Sequence, residues 1–233
     1  MKKFIKMLLI MFFVLGSFAL FTGCGDTVES ETPNVDISLT SDTVTGISGS
    51  NPQSTILVLN EVKVLLMDIK LNAANDTNKD VGNFKVGPFV IQLNLQSNIN
   101  IISSAYIPQG TYDKVKFEIH KLEPNENVPD TAFHDSNGRY SVVVAGTYDN
   151  NPFYFKTDAS AHQKLTFPNN LVVTENYSNI TLKVSPYMWF VENNIILDPN
   201  VPGNKSIIDN NIKTNINNNF KIFVDNDRNG IPD

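Results

Sequence analysis

Lys114-Val115-Lys116-Phe117-Glu118-Ile119-His120 is the stretch on which the reading of the fold turns. Val115, Phe117 and Ile119 fall on one side of an extended chain, and Lys116, Glu118 and His120 fall on the other. Side chains alternate across a strand, so an apolar–polar period of two marks a strand with one face buried. Ile180, Leu182 and Val184 repeat the pattern around Thr181 and Lys183. Working outward, short runs of β-branched and aromatic residues read as strands at 55–59, 62–71, 84–95, 114–122, 140–148, 152–157, 163–167, 171–173 and 180–184. The connections carry turn chemistry. Asn137-Gly138 suits a tight hairpin, and Asp149-Asn150-Asn151-Pro152 separates two further strands. Many short strands at this spacing predict an all-β fold: one antiparallel β-sandwich over 54–190.

The segment 191–233 reads differently. Pro199 to Asn204 is a turn-rich break. Beyond it Ile208, Ile212, Ile216, Phe220 and Phe223 recur at spacings of four, four, four and three, the signature of one apolar helical stripe. Ser206 with Asp209 three residues later suits the start of that helix, which is expected to dock on the sandwich.

Upstream of the domain, Lys2, Lys3 and Lys6 precede an apolar run from Met7 to Leu20, and Phe21-Thr22-Gly23-Cys24 ends it. A basic start, a short apolar core and a small-residue ending make a signal peptide over 1–23, too short for an ordinary spanning helix. The ending resembles the lipobox of bacterial lipoproteins, with Phe21 where an aliphatic residue is usual. That resemblance implies lipidation of Cys24, the single cysteine of the chain, and anchoring to a membrane of the cell envelope (the outer membrane if the cell is Gram-negative). Residues 24–53, rich in Ser, Thr, Gly, Asp and Glu, read as the lipidated cysteine and a flexible tether. Removing residues 1–23 takes away three lysines and no acidic residue, so the formal charge falls from −6 to −9. Such acidity argues against nucleic acid or anionic lipid as a partner.

The sharpest motif is the last nine residues, Asp225-Asn226-Asp227-Arg228-Asn229-Gly230-Ile231-Pro232-Asp233. Oxygen-bearing side chains fall at positions 1, 3, 5 and 9, the carbonyl of Ile231 at 7, and glycine at 6 permits the tight turn. That is how a calcium loop wraps a hard cation in oxygens. Asp225, Asp227, Asn229, Ile231 and Asp233 are therefore the candidate Ca²⁺ ligands. The loop ends at its ninth position, which leaves the terminal carboxylate to stand in for the bidentate ligand usual at the twelfth.

Other chemistry is sparse. His120, His134 and His162 lie in separate segments without metal-ligand spacing and read as exposed polar residues. Glu118 and His120 share a strand face and could pair, but no positioned nucleophile accompanies them. Tyr187, Trp189 and Phe190 form an aromatic cluster that suits either a stacking platform for sugar or peptide or a plug for one end of the core.

Ile107-Pro108-Gln109-Gly110-Thr111-Tyr112, leading into the strand quoted first, resembles the Pro-Gly turn and central strand of prealbumin-like modules. Taken with Gly146-Thr147-Tyr148, Leu182-Lys183-Val184, Trp189-Phe190, Leu197-Asp198-Pro199 and the terminal acidic loop, it is similar to uncharacterised bacterial lipoproteins with a transthyretin-like or carboxypeptidase-regulatory-like sandwich. The resemblance implies a fold and an envelope location, and no activity. The function expected is a non-catalytic binding or structural role toward another envelope protein or a glycan. A calcium-dependent extracytoplasmic hydrolase is the alternative.

Overall fold

The computed structural model describes residues 32–42, 47–48, 55–74, 80–214 and 219–233, which lie in one compact unit, Thr32–Asp233. The signal segment and Cys24 lie outside the described residues. The fold is an all-β sandwich with one short α-helix near the carboxyl end.

The strands are β1 (Val35–Ser41), β2 (Ile47–Ser48), β3 (Thr55–Ala73), β4 (Asp80–Gln92), β5 (Asn100–Ala105), β6 (Gly110–Ile119), β7 (His134–Asp135) and β8 (Gly138–Arg139). There follow β9 (Val142–Tyr148), β10 (Asn151–Thr157), β11 (Ala161–Val173), β12 (Ser178–Val184), β13 (Val191–Glu192), β14 (Ile195–Ile196) and β15 (Phe220–Val224). The helix α1 covers Lys205–Thr214. One sheet runs β15-β12-β1-β5; the larger runs β10-β9-β3-β6-β11, with β2 and β4 also paired to β3.

The 19-residue β3 is the spine of the larger sheet. Its Leu65 N–H donates to the Ser141 carbonyl at 2.8 Å, and its carbonyl accepts from the His120 N–H at 2.9 Å. The N–H and C=O of one strand residue point to the same side, so β9 and β6 meet β3 end to end along one edge at Leu65. Beyond this junction the strand bulges at Asp68, which takes a positive φ of 48°. Its carboxylate accepts from the Gly87 N–H at 2.8 Å, across the pairing with β4. The bulge restores alternation, so that Ile69 and Leu71 still face inward and are fully buried.

The strands expected at 55–59 and 62–71 are thus one continuous β3, and those at 163–167 and 171–173 are one β11 with an irregularity between Thr166 and Leu171. Asp149 and Asn150 turn β9 into β10 with positive φ at both positions, as a two-residue primed turn demands. In the β7–β8 hairpin the turn residues are Ser136 and Asn137, one residue earlier than expected. There the Asp135 carboxylate accepts from the N–H groups of Asn137 and Gly138.

The main core lies between the sheets, where inward residues of β1 and β12 (Val35, Ile37, Leu39, Ile180, Leu182, Val184) meet those of β3, β6, β9 and β11. A second cluster of Leu65, Leu122, Val128, Phe133 and Val143 sits on the outer face of the larger sheet, beneath the excursion between β6 and β9.

Three expectations are corrected. The tether expected over 24–53 is interrupted by β1, buried along its whole length in the middle of its sheet. The strand alternates, but its polar members are also covered. Ser38 donates to Asn179 Oδ1 at 2.7 Å, Thr40 to the Ser97 carbonyl at 3.2 Å and Ser41 to the Asn94 carbonyl at 2.6 Å. Nor is the sandwich wholly antiparallel, because β1 pairs with β12 in parallel. Finally, the helical stripe ends early. Ile208 and Ile212 are buried on α1, Ile216 lies outside the described residues, and Phe220 and Phe223 belong to β15, antiparallel to β12. Phe220 and Ile222 alternate with Lys221, so this run satisfies a strand period as well as a helical one, and cross-strand pairing decides. Ser206 lies inside the helix, whose first residue, Lys205, instead pairs with Asp209 one turn on.

Candidate metal centre

The terminal acidic loop leaves β15, not a helix. Its mouth is closed by backbone: the Asp233 N–H donates to the Val224 carbonyl at 3.1 Å, and the Asp233 carboxylate accepts from the Asn226 N–H at 2.8 Å. Arg228 and Gly230 take positive φ of 56° and 80°, so the glycine stands where the turn needs a residue without a Cβ.

The loop is docked on the smaller sheet by polar contacts. The Asp225 N–H donates to the Asn179 carbonyl, and Asn179 Nδ2 returns a bond to the Asp225 carbonyl at 2.8 Å. Thr181 Oγ1 donates to Asp225 Oδ2 at 2.6 Å. Arg228 reaches Asp36 on β1 at 2.7 Å, and Ser104 donates to the other oxygen of Asp36.

Asp225 is fully buried. Its carboxylate accepts from neutral donors, the Thr181 hydroxyl and the N–H groups of Asn229 and Gly230. Asp225, Asp227 and Asp233 each bring a carboxylate oxygen to within 4.8 Å of the others. Three like charges at that separation repel one another, and a buried carboxylate is costly without a positive partner. A hard divalent cation bound through oxygens answers both. Of the five expected ligands, the geometry groups these three. Asn229 donates Nδ2 to Asp227 and accepts from the Ile231 N–H, so its side chain braces the loop.

The remaining candidates fall elsewhere. Tyr187, Trp189 and Phe190 are buried at 4%, 0% and 0% exposure, so the stacking platform is corrected to a core plug. Phe190 packs against Phe153 and Phe155 at ring centroid distances of 5.8 Å. Met188 is the member of that turn that reaches solvent.

His134 and His162 are exposed, but His120 is buried, because the excursion after β6 folds over it. Its Nε2 lies 2.7 Å from Glu126 and its Nδ1 3.4 Å from Glu118, while His162 approaches the other oxygen of Glu118 at 3.6 Å. Burial alone would lower the His120 pKa, but the bonds to Glu126 and Glu118 outweigh it and raise it above the usual imidazole value. The Glu118–His120 pair was legible in the strand alternation; Glu126 was not, since a loop brings it back.

No family model matches the chain, and no curated protein or solved structure is significantly similar to it. The site must speak through its own geometry.

Proposed function

We propose that this chain is a lipid-anchored protein of the bacterial cell envelope with a non-catalytic binding or structural role, and that its terminal loop holds Ca²⁺ as a structural ion. The observation that carries the calcium reading is the convergence of Asp227 and Asp233 on the buried Asp225. The loop is tied to β1 and β12, so an ion there braces the carboxyl end against the first strand of the domain. The anchor reading rests on the basic, apolar and small-residue order of 1–23 and on the single cysteine at its end. Ten residues separate Cys24 from Val35, a reach of at most about 35 Å when fully extended, so the sandwich is held close to its membrane. The β-sandwich accords with kinship to the uncharacterised envelope lipoproteins that the sequence resembles, and the ligand class expected is another envelope protein or a glycan.

Thermal unfolding tests the ion. The chain unfolds at a higher temperature in millimolar calcium than in chelator, and Asp225→Ala with Asp227→Ala removes the difference; ligand at about 100 times its Kd stabilises by about 2.7 kcal/mol. An identical transition in both conditions refutes the metal site. Fractionation tests the anchor: Cys24→Ala releases the protein from the membrane fraction.

A further inference from the structure

Asn34 fixes the point at which the chain enters the sandwich. Its N–H donates to the Ala105 carbonyl at 3.1 Å, and its carbonyl accepts from the Ser178 N–H at 3.0 Å. Its side chain exchanges two further bonds with the backbone of Ile107, at 2.8 and 2.9 Å. Val35 pairs with both Ala105 and Ser178, so Tyr106 and Tyr177 come one step beyond those ladders, on either side of Asn34. Strand spacing sets their backbones about 10 Å apart. Both tyrosines are exposed, at 42% and 51%. Val172, 57% exposed near the end of β11, stands at the same end of the sandwich, because residues 174–177 lead from β11 directly into β12.

This end is poor in charge. Among 32–34, 106–109 and 172–177 the one charged side chain is Glu175, and no lysine or arginine occurs. The acidic terminal loop also leaves from here, but it turns back over the outer face of the smaller sheet, where Arg228 reaches Asp36 and Gly230 lies beside Ile99. Of the whole sandwich, this end has the shortest covalent path to Cys24. Ten residues lie between Cys24 and Val35, a reach of at most about 35 Å. A tyrosine pairs an apolar ring with a polar hydroxyl, the combination that settles at the headgroup level of a bilayer.

We propose that Tyr106 and Tyr177 dock this end of the sandwich on the surface of a zwitterionic bilayer, with Asn34 between them and Val172 at the edge of the contact. Glu175 and the terminal loop set the headgroup class, because an anionic surface repels them and no cation among these segments offsets it. Docking stands the strands upright and presents the far end, with the β13–β14 hairpin, away from the membrane. The inference deepens the envelope role proposed above and rests on the lipid at Cys24, but not on calcium.

The lipidated chain, reconstituted in phosphatidylcholine vesicles, tests it, and flotation with the vesicles reports the anchor. Tyr106→Trp and Tyr177→Trp, each in a Trp189→Phe background, place a single indole at either ring. Phosphatidylcholine brominated on its acyl chains is expected to quench each probe at least about twofold. Ile195→Trp, at a position 66% exposed in the hairpin beyond the far end of β12, keeps its emission. If Trp189→Phe melts early, the same probes are read in the native chain over the constant emission of the buried Trp189. Tyr106→Asp lowers the quenching of the Tyr177→Trp probe. Raising salt from about 50 to about 500 mM leaves the quenching unchanged, since no ion pair makes the contact. Equal quenching at all three positions, or quenching confined to vesicles that contain phosphatidylglycerol, overturns the proposal. No flotation removes the anchor and this inference together. Flotation without quenching of either tyrosine probe removes this inference alone and leaves the tyrosines to a protein partner.

Discussion

Asp36 on the first strand and Arg228 in the terminal loop meet at 2.7 Å across 192 positions of sequence. The Asp36 side chain is almost wholly buried, while the arginine side chain remains two-fifths exposed. Asp36 also accepts from Ser104 of β5, so it ties three separate segments at one end of the smaller sheet.

Arg228→Ala strands that buried carboxylate with neutral partners only. Breaking a fully buried pair costs about 3–5 kcal/mol. Water already screens the arginine end, so the expected loss is smaller, about 1–2 kcal/mol. Urea unfolding measures it, and Asp36→Asn in the same background recovers part of the loss.

Gly146 of β9 has no room for a side chain. A Cβ there would lie 2.1 Å from the Val58 carbonyl oxygen and 2.9 Å from the Phe153 ring. The first obstacle is backbone, so Gly146→Ala must force β9 away from β3, at an expected cost of about 3 kcal/mol or more. A circular-dichroism melt lower by many degrees is the outcome; an unchanged melt contradicts the strand packing.

Trp189 reports on the core. With no exposed surface, it is expected to emit at short wavelength, to resist quenching by acrylamide and to ignore added sugars. Trp189→Ala should cost about 3–5 kcal/mol through the cavity it leaves. Trp189→Phe should cost less, because the indole N–H has no hydrogen-bond partner to lose among the described residues.

His120 links stability to pH. Burial opposes its charge, but Glu126 and Glu118 raise its pKa in the folded protein above the ordinary value of 6.5. The folded state therefore binds the proton more tightly than the unfolded chain. The resulting stabilisation is fully present below the unfolded pKa and is lost as pH rises through the folded one. The advantage of the native protein over His120→Gln in urea should shrink as pH climbs from about 6 to about 8.5. An advantage that grows over that window contradicts the assignment.

Acid acts in the opposite sense at Asp135. The bond from Lys156, with the Asn137 N–H and the Tyr140 hydroxyl, lowers its pKa from 3.8 to about 2. Its contribution is complete above the unfolded value and disappears as pH falls through the folded one. Protection of Ser136 and Asn137 against hydrogen exchange should weaken first in that window, and Asp135→Asn should abolish the pH dependence there.

Much of the sandwich was legible from local pattern. The alternation of Val115, Phe117 and Ile119 identified β6, and Asp149-Asn150 marked a turn, because period and turn chemistry are properties of neighbouring residues. The regularly spaced oxygens of the terminal loop were equally local, and Gly230 stands at the bend that their spacing required. What local pattern could not decide was anything a distant partner settles. Val35–Ser41 alternates as clearly as β6, but its Asp, Ser and Thr resemble a tether until Arg228, Asn179 and the 94–97 loop cover and satisfy them. Phe220 and Phe223 fit a helical stripe and a strand equally, and only pairing with β12 chose the strand. Trp189 offered itself as platform or plug, and burial chose plug. Lys70, Lys116 and Lys164 become neighbours only once three strands lie in register, for they are 46 and 48 residues apart along the chain. Sequence by itself determined the strand period, the turns and the acidic loop. Tertiary structure decided which polar residues go inside and which charges become neighbours, because those depend on contacts made across the sheets.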